Sequence, residues 1–129
     1  DKSSNEQGRN FINKIWNALK LIELWKGRDI ALVDMDQAAH AEMNWPNQWF
    51  RARLYQVRAE VNQLITQFRL SEALKTIYSL IWDDFCSWYL EWVKPPYGAD
   101  HTDNMVISRT IDFFEELMKM LHPFMPFIT

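Results

Sequence analysis

The chain has 129 residues, of which 48% are hydrophobic and 24% charged, and its formal net charge is −3. This composition excludes a disordered or collagen-like chain and is typical of one globular domain, so we expect residues 1–129 to share a single core. The longest apolar runs fall far short of the roughly 20 residues that cross a bilayer, and no secretory signal opens the chain. We therefore expect a cytoplasmic protein with no membrane partner.

Charge is distributed unevenly along the chain. Residues 9–69 carry nine Lys and Arg against six Asp and Glu, whereas residues 70–129 carry four against nine. Because polyanions are bound by neutralising their phosphates, any nucleic acid is expected to meet the first half. The alternative is that each helix simply exposes a charged face to solvent.

Apolar residues recur with helical spacing in four segments, and the first two lie before residue 69. The first predicted helix runs from about Gln7 to Trp25 and stops at Gly27. The second has Asn47 as its N-cap, after Pro46, and runs to Phe68. The apolar stripe of the first helix is Phe11, Ile15, Ala18, Ile22 and Trp25, and that of the second is Phe50, Leu54, Val57, Val61, Leu64, Ile65 and Phe68.

The third and fourth predicted helices fill most of the second half. Ser71 caps the third, which ends before Pro95, and Thr102 or Asp103 caps the fourth, which stops before Pro123. Their stripes are Leu74, Ile77, Tyr78, Ile81, Phe85, Trp88, Tyr89 and Trp92, and Ile107, Ile111, Phe114, Met118 and Leu121. Trp82, Trp88 and Trp92 are thus assigned to the core rather than to a stacking platform.

Four amphipathic helices joined by short connections predict an all-α fold, an antiparallel bundle of four main helices. Residues 29–44 are compatible with either a short helix or an irregular crossover. The apolar ending at 122–129 suggests a fragment excised from a longer protein.

No catalytic or metal site is predicted. Asp83 and Asp84 are adjacent, so they diverge by about 100° on a helix, whereas paired catalytic carboxylates face one cleft. The three histidines and Cys86 have no short ligand spacing. Cys86 flanks an apolar helix face and is interpreted as a small core residue.

Four stretches of the chain resemble one protein family. They are residues 8–18 (GRNFINKIWNA), 47–54 (NQWFRARL), 81–94 (IWDDFCSWYLEWVK) and 121–129 (LHPFMPFIT). Together they are similar to the anticodon-binding helical domain of valyl-tRNA synthetases, which are class I aminoacyl-tRNA synthetases. The third stretch favours the valyl over the isoleucyl branch. The resemblance fails over residues 29–44, and Gln48 stands where many relatives carry Arg.

The resemblance implies that the chain binds the anticodon stem-loop of valine tRNA and senses its middle A and third C. It also implies a parent enzyme, a valine–tRNA ligase, whose catalytic domain uses ATP with Mg. The ATP-binding motifs of that domain do not occur here, so we expect this chain to be no enzyme by itself and to need no cofactor. The alternatives are the same domain of an isoleucyl enzyme, or a helical module whose exposed tryptophans meet another protein.

Trp49 is the main candidate for RNA contact on the second helix. Anticodon loops are read by stacking unpaired bases on aromatic rings and by pairing polar side chains with base edges and phosphates. Trp49 lies about 100° from the centre of its stripe, on a flank with Arg53 and Gln56, and the resemblance places it where the family stacks a base. Gln48 and Arg51 are further candidates. The alternative is that Trp49 packs on the next helix at the edge of the core.

A second candidate surface lies on the first helix, where Asn13, Trp16, Asn17 and Lys20 share the face opposite the apolar stripe. Asn can read base edges and Lys can meet a phosphate. Alternatively, this face packs on the parent's catalytic domain, with Trp16 as an interdomain residue. Lys20 is the preferred RNA contact of the group.

Overall fold

The computed structural model describes residues 2–27, 31–33, 45–95 and 101–128, and these form a bundle of four helical arms. The arms are α1 (Lys2–Gly27); α2 (Trp45–Thr66); a composite helix made of α3 (Leu70–Ser79), a π-helical segment (Leu80–Tyr89) and α4 (Leu90–Val93); and α5 (Asn104–Leu121), extended by a 3₁₀ turn (His122–Phe124) and α6 (Met125–Ile128). The predicted all-α bundle of four main helices is confirmed.

Packing follows the apolar stripes. α1 and α2 each pack against the composite helix and α5, which places α1 and α2 on opposite sides of that pair. The stripes of the first two helices are confirmed as far as Leu64, with Ile15 partly buried. Residues fully enclosed in the shared core include Phe11, Phe50, Val57, Ile77, Phe85, Tyr89 and Leu117. No helix in the described ranges is long and apolar enough to span a bilayer.

The turn between α2 and α3 is a Schellman motif. The backbone N–H of Arg69 donates to the carbonyl of Leu64 over 2.8 Å, and that of Phe68 donates to Ile65 over 2.9 Å. This pattern requires a left-handed residue just after the helix, and Phe68 supplies it with φ of 59°. Phe68 is 87% exposed, so its predicted place in the core is wrong, because the helical spacing ends before it.

Two of the predicted N-caps are wrong. α2 begins at Trp45, so Asn47 lies inside the helix and is buried, while Pro46 takes a first-turn position where no N–H is needed. α3 begins at Leu70, and its N-cap residue is Arg69 rather than Ser71. The predicted start of the fourth helix is confirmed, because α5 begins at Asn104.

The π-helical segment changes which side chains of the composite helix face the core. A π-helix bonds residue i to i+5 and therefore holds more residues in each turn than an α-helix. Core residues accordingly recur every fourth position at Ile77, Ile81, Phe85, Tyr89 and Val93. Prediction at the α-helical spacing was wrong for Trp88 and Trp92, which the wider turns rotate out of the core and leave 54% and 39% exposed.

A short parallel ladder lies beside the bundle. Ala31–Val33 pairs with His101–Asp103, with Leu32 opposite Thr102. The sequence predicted no strand, so this two-stranded element is an addition to the helical fold. The remainder of 29–44, where a short helix or a crossover was predicted, lies outside the described residues.

Candidate RNA-binding surface

Four tryptophans meet where the start of α2 lies against the end of the composite helix. Trp92 is at the centre: its ring centroid lies 4.7 Å from that of Trp45, 5.1 Å from Trp49 and 5.7 Å from Trp88. Trp45 and Trp88 are each about half exposed, at 50% and 54%, whereas Trp49 is partly buried. We call these four residues the tryptophan cluster. It is a contiguous exposed apolar patch of the kind that marks an interaction site.

The sequence allowed two interpretations of Trp49, a base-stacking residue or a core-edge residue that packs on the next helix. Its surroundings agree in part with each. Its ring meets Trp92 edge-on and also approaches the buried Phe50, with 6.3 Å between centroids, so it does pack on the next helix. It is nevertheless only partly buried and is continuous with more exposed rings. Stacking of a base on Trp49 therefore stays a prediction.

Arg53 lies on the same flank of α2, one turn after Trp49. Its Nε donates to Oδ2 of Asp84 over 2.9 Å, and its Nη1 donates to Oε1 of Gln56 over 3.1 Å. These contacts use two of the five N–H donors of a guanidinium, so others remain for a phosphate or a base edge. The ion pair is only partly exposed, with the Asp84 side chain at 18%. It holds Arg53 to the composite helix four residues before Trp88, while Arg53 itself lies four residues after Trp49.

A buried polar chain lies under the cluster. Thr110 donates its single hydroxyl proton to the carbonyl of Val106 over 2.8 Å, so the Tyr89 hydroxyl must donate to Thr110 across 2.8 Å. Asn47 Nδ2 in turn donates to the Tyr89 oxygen. This chain ties the start of α2 to the π-helical segment and α5. Burial raises the pKa of Tyr89 to about 12, so its hydroxyl keeps the proton that it donates.

The candidates on α1 form a separate surface. Asn13, Trp16, Asn17 and Lys20 are exposed, and Lys20 Nζ lies 5.4 Å from the centre of the Trp16 ring. Because α1 and α2 lie on opposite sides of the composite helix, the structure does not bring this group together with Trp49 and Arg53. An RNA role for the α1 group stays a prediction.

The remaining α2 candidates diverge around the helix. Gln48 and Arg51 are both exposed, but Arg51 lies on the flank that faces α5, away from the tryptophan cluster. It lines a groove there with Tyr55 and Arg58. The candidates predicted from the NQWFRARL stretch therefore lie on two different faces of α2.

The sequence analysis did not predict three members of the tryptophan cluster as candidate contact residues. Trp45 lies before the predicted start of α2, and Trp88 and Trp92 were assigned to the core by assuming α-helical spacing. A signal was available for the last two: Ile77, Ile81, Phe85, Tyr89 and Val93 form an apolar series at intervals of four. Extending the helix back by two residues, so that Pro46 entered its first turn, would have found Trp45.

The other residues considered for chemistry have structural surroundings. Cys86 is partly buried, and burial raises the pKa of its thiol to about 11, which disfavours the reactive thiolate. Lys14 lies over the Trp82 ring, 5.1 Å from its centre. Asp84 is paired with Arg53 whereas Asp83 is exposed, so these two carboxylates face different surroundings. Within the described ranges, no three potential ligand side chains come together as a metal site would need.

Fold and surface together define an all-helical binding domain. Residues 47–129 match the family described as the anticodon-binding domain of tRNA ligase, and this match covers more than half of the chain. The chain therefore belongs to the family of anticodon-binding domains of tRNA ligases, as its sequence motifs predicted.

Individual proteins that are similar along nearly the whole chain support the same family assignment. The chain is 48% identical over all of its 129 residues to a valine–tRNA ligase of Porphyromonas gingivalis, and 49% identical over 96% of its length to one of Bacteroides fragilis. It is 35% identical over 93% of its length to that of Staphylococcus epidermidis. The chain spans 14% of the length of each of these relatives. The predicted resemblance to the valyl branch is confirmed. No solved structure shows a significant match.

Proposed function

We propose that this chain is the anticodon-binding part of a valine–tRNA ligase and that it binds the anticodon stem-loop of valine tRNA. The relatives with high identity along the whole chain support the valyl assignment. The observation that carries the binding surface is the tryptophan cluster beside Arg53. Unpaired bases stack on exposed rings, and the guanidinium meets phosphates or base edges.

In this proposal the rest of the ligase carries the chemistry. Its catalytic domain would bind ATP with Mg and join valine to the far end of the tRNA. Contacts at the anticodon would supply binding energy that orients the acceptor end at a distant active site. The middle A and third C of the valine anticodon are the bases we propose to be sensed.

Fluorescence titration with anticodon stem-loops tests the stacking surface. Trp88→Ala and Trp49→Ala should each weaken binding of the valine stem-loop, by about ten- to a hundredfold, because a stacked base is worth ~1–3 kcal/mol. Phe68→Ala is the matched control, since this exposed ring lies at the α2–α3 turn, away from the cluster. Unchanged affinity in both tryptophan variants would contradict stacking on the cluster.

Comparison with a second RNA tests specificity. The wild-type chain should bind the valine stem-loop more tightly than the isoleucine stem-loop, and the reverse order would favour the isoleucyl alternative.

A separate variant tests the α1 surface. Lys20→Ala should lower the affinity for the valine stem-loop modestly through loss of a phosphate contact. Equal affinity of Lys20→Ala and wild type would instead fit a contact of α1 with another domain.

A further inference from the structure

A groove between α2 and α5 lies on the opposite flank of α2 from the tryptophan cluster. Its volume is about 260 Å³, below the range of pockets for drug-sized ligands and on the scale of one flat base. The buried Leu54 and Phe113 contribute to its lining. We call this feature the α2–α5 groove. Its other lining residues are Arg51, Tyr55, Arg58, Asp112 and Glu116.

One wall of the groove is an exposed aromatic ring held in place. Tyr55 is 59% exposed, and the guanidinium of Arg58 lies 5.7 Å from the centre of its ring. Arg58 is itself fixed by an ion pair to Glu116, with Nη2 2.6 Å from Oε2. The guanidinium covers one face of the ring, and the high exposure of Tyr55 leaves the opposite face open to a base. Because the ring is already held in place, it loses little side-chain freedom on binding.

Two charged groups at the groove lack a partner among the described residues: Arg51, which can donate only, and Asp112, which can accept only. Asp112 repels phosphate, so a nucleotide is expected to turn its phosphate toward Arg51 and a hydrogen-bond donor of its base toward Asp112. Adenine, cytosine and guanine each carry an exocyclic amino donor, whereas uracil has none and presents the O4 acceptor where cytosine has its amino group.

We propose that the α2–α5 groove holds one unpaired nucleotide, with its base stacked on Tyr55 and its exocyclic amino group donating to Asp112. This inference rests on the proposed function and deepens it, because both bases proposed to be sensed, A and C, carry that amino group. The two flanks of α2 are separated by roughly the 10 Å width of a helix, so neighbouring nucleotides of an open loop can reach both.

The test combines a protein change with a base change. Asp112→Ala should weaken binding of the valine stem-loop about tenfold, because alanine has no side-chain acceptor for the amino group, although removing a negative charge would by itself strengthen RNA binding. Glu115→Ala is the matched control: it removes the same charge from the exposed side of α5 and should bind slightly more tightly than wild type. Tyr55→Leu should also lose about tenfold, compared with Phe68→Leu.

Stem-loops that lack one amino group identify the base. Purine riboside in place of the middle A, or uridine in place of the third C, should weaken binding to the wild type by about tenfold at one of the two positions. That same change should cost little more in Asp112→Ala, because alanine cannot accept the hydrogen bond and the contact is already lost. Circular dichroism of each variant checks that the helices are retained.

The outcomes separate this inference from the proposed function. If the wild type prefers the valine stem-loop over a shuffled loop while Asp112→Ala binds as tightly as Glu115→Ala, the groove proposal fails and the proposed function stands. Fully additive losses from Asp112→Ala and the amino deletion also overturn the groove proposal. If the wild type shows no preference for the valine loop, the proposed function fails and the groove assignment fails with it.

Discussion

Tyr89 is the residue on which the packing of three helices depends. Its hydroxyl receives a hydrogen bond from Asn47 of α2 and donates one to Thr110 of α5, and the ring is fully buried against Phe50 and Phe85. Asn47 Oδ1 has no partner among the described residues, so the network is already incompletely satisfied. Losing a further partner in such a buried network is costly.

Tyr89→Phe should therefore lower the free energy of unfolding by about 1–3 kcal/mol, because it leaves the Asn47 amide and the Thr110 oxygen buried without their partner. Urea denaturation followed by circular dichroism measures this. Tyr55→Phe, which removes the same atom from an exposed ring, should change stability by less than about 0.5 kcal/mol. Equal stability of Tyr89→Phe and wild type would show that the hydroxyl contributes nothing net.

Cys86 gives the fold a dependence on alkaline pH. Burial raises the pKa of its thiol from 9.0 to about 11, so between those values the folded chain keeps a proton that the unfolded chain loses. The stabilising contribution is complete below pH 9 and is lost as pH rises to about 11. Cys86→Ala should therefore show a shallower fall of the unfolding free energy from pH 9 to 11 in urea titrations. Parallel curves for variant and wild type would contradict a raised thiol pKa.

At the scale of elements, the α2–α3 turn contains backbone strain at Phe68 that a glycine would remove. Phe68 adopts φ of 59°, a conformation that costs a residue with a Cβ roughly 1–2 kcal/mol and costs glycine almost nothing. Its ring is almost completely exposed, so little packing offsets that cost.

Phe68→Gly should therefore raise the free energy of unfolding by about 1 kcal/mol, less the entropy that glycine adds to the unfolded chain. Thermal and urea unfolding measure the change. Thr66→Gly is a fitting control, because it puts glycine two residues earlier, at the last residue of the helix, and should destabilise by about 0.5–1 kcal/mol. Loss of stability in Phe68→Gly would mean that the ring makes a contribution its exposure does not suggest.

The composite helix shows how far the sequence could predict the elements. Apolar periodicity located all four arms, because each needs a buried stripe, and the two prolines at its end correctly stopped the composite helix. That prediction used the α-helical spacing of about 3.6 residues per turn along the whole helix. Once the π-helical segment widens the turns, side chains beyond Phe85 take new directions. Tyr89 is buried as predicted, but Trp88 and Trp92, predicted on the same stripe, are not. A change of pitch depends on packing between helices, which local spacing does not encode.

At the scale of the whole molecule, the candidate residues divide among three surfaces. Trp49 and Arg53 lie at the tryptophan cluster, Arg51 lies at the α2–α5 groove, and Lys20 lies across the bundle on α1. Sequence motifs identified the family and most of these residues. They did not reveal which residues share a surface, because that depends on how α2 is rotated between its two neighbours.

The uneven distribution of charge along the chain affects how the whole molecule can bind RNA. The excess of Lys and Arg lies in residues 9–69, yet several of these cations are already paired in the fold: Arg53 with Asp84, Arg58 with Glu116 and Arg69 with Glu72. Pairing reduces the charge that each one offers to a phosphate. The number of phosphate contacts is therefore expected to be small for a nucleic-acid-binding domain, and the affinity for RNA should depend more on stacking than on salt.

The salt dependence of binding tests this balance. A plot of log affinity for the valine stem-loop against log salt concentration should have a shallow slope. Arg53→Gln should reduce its magnitude by less than about 0.7, the value for one full phosphate contact to an unpaired strand, because Arg53 is already paired with Asp84. Arg9→Gln, which removes an equal charge near the start of α1, should leave the slope unchanged. Trp88→Ala should lower affinity equally at all salt concentrations, because stacking releases no counterions. A reduced slope in Arg9→Gln as large as that in Arg53→Gln would show that RNA is attracted by overall charge and not by the surface beside the tryptophan cluster.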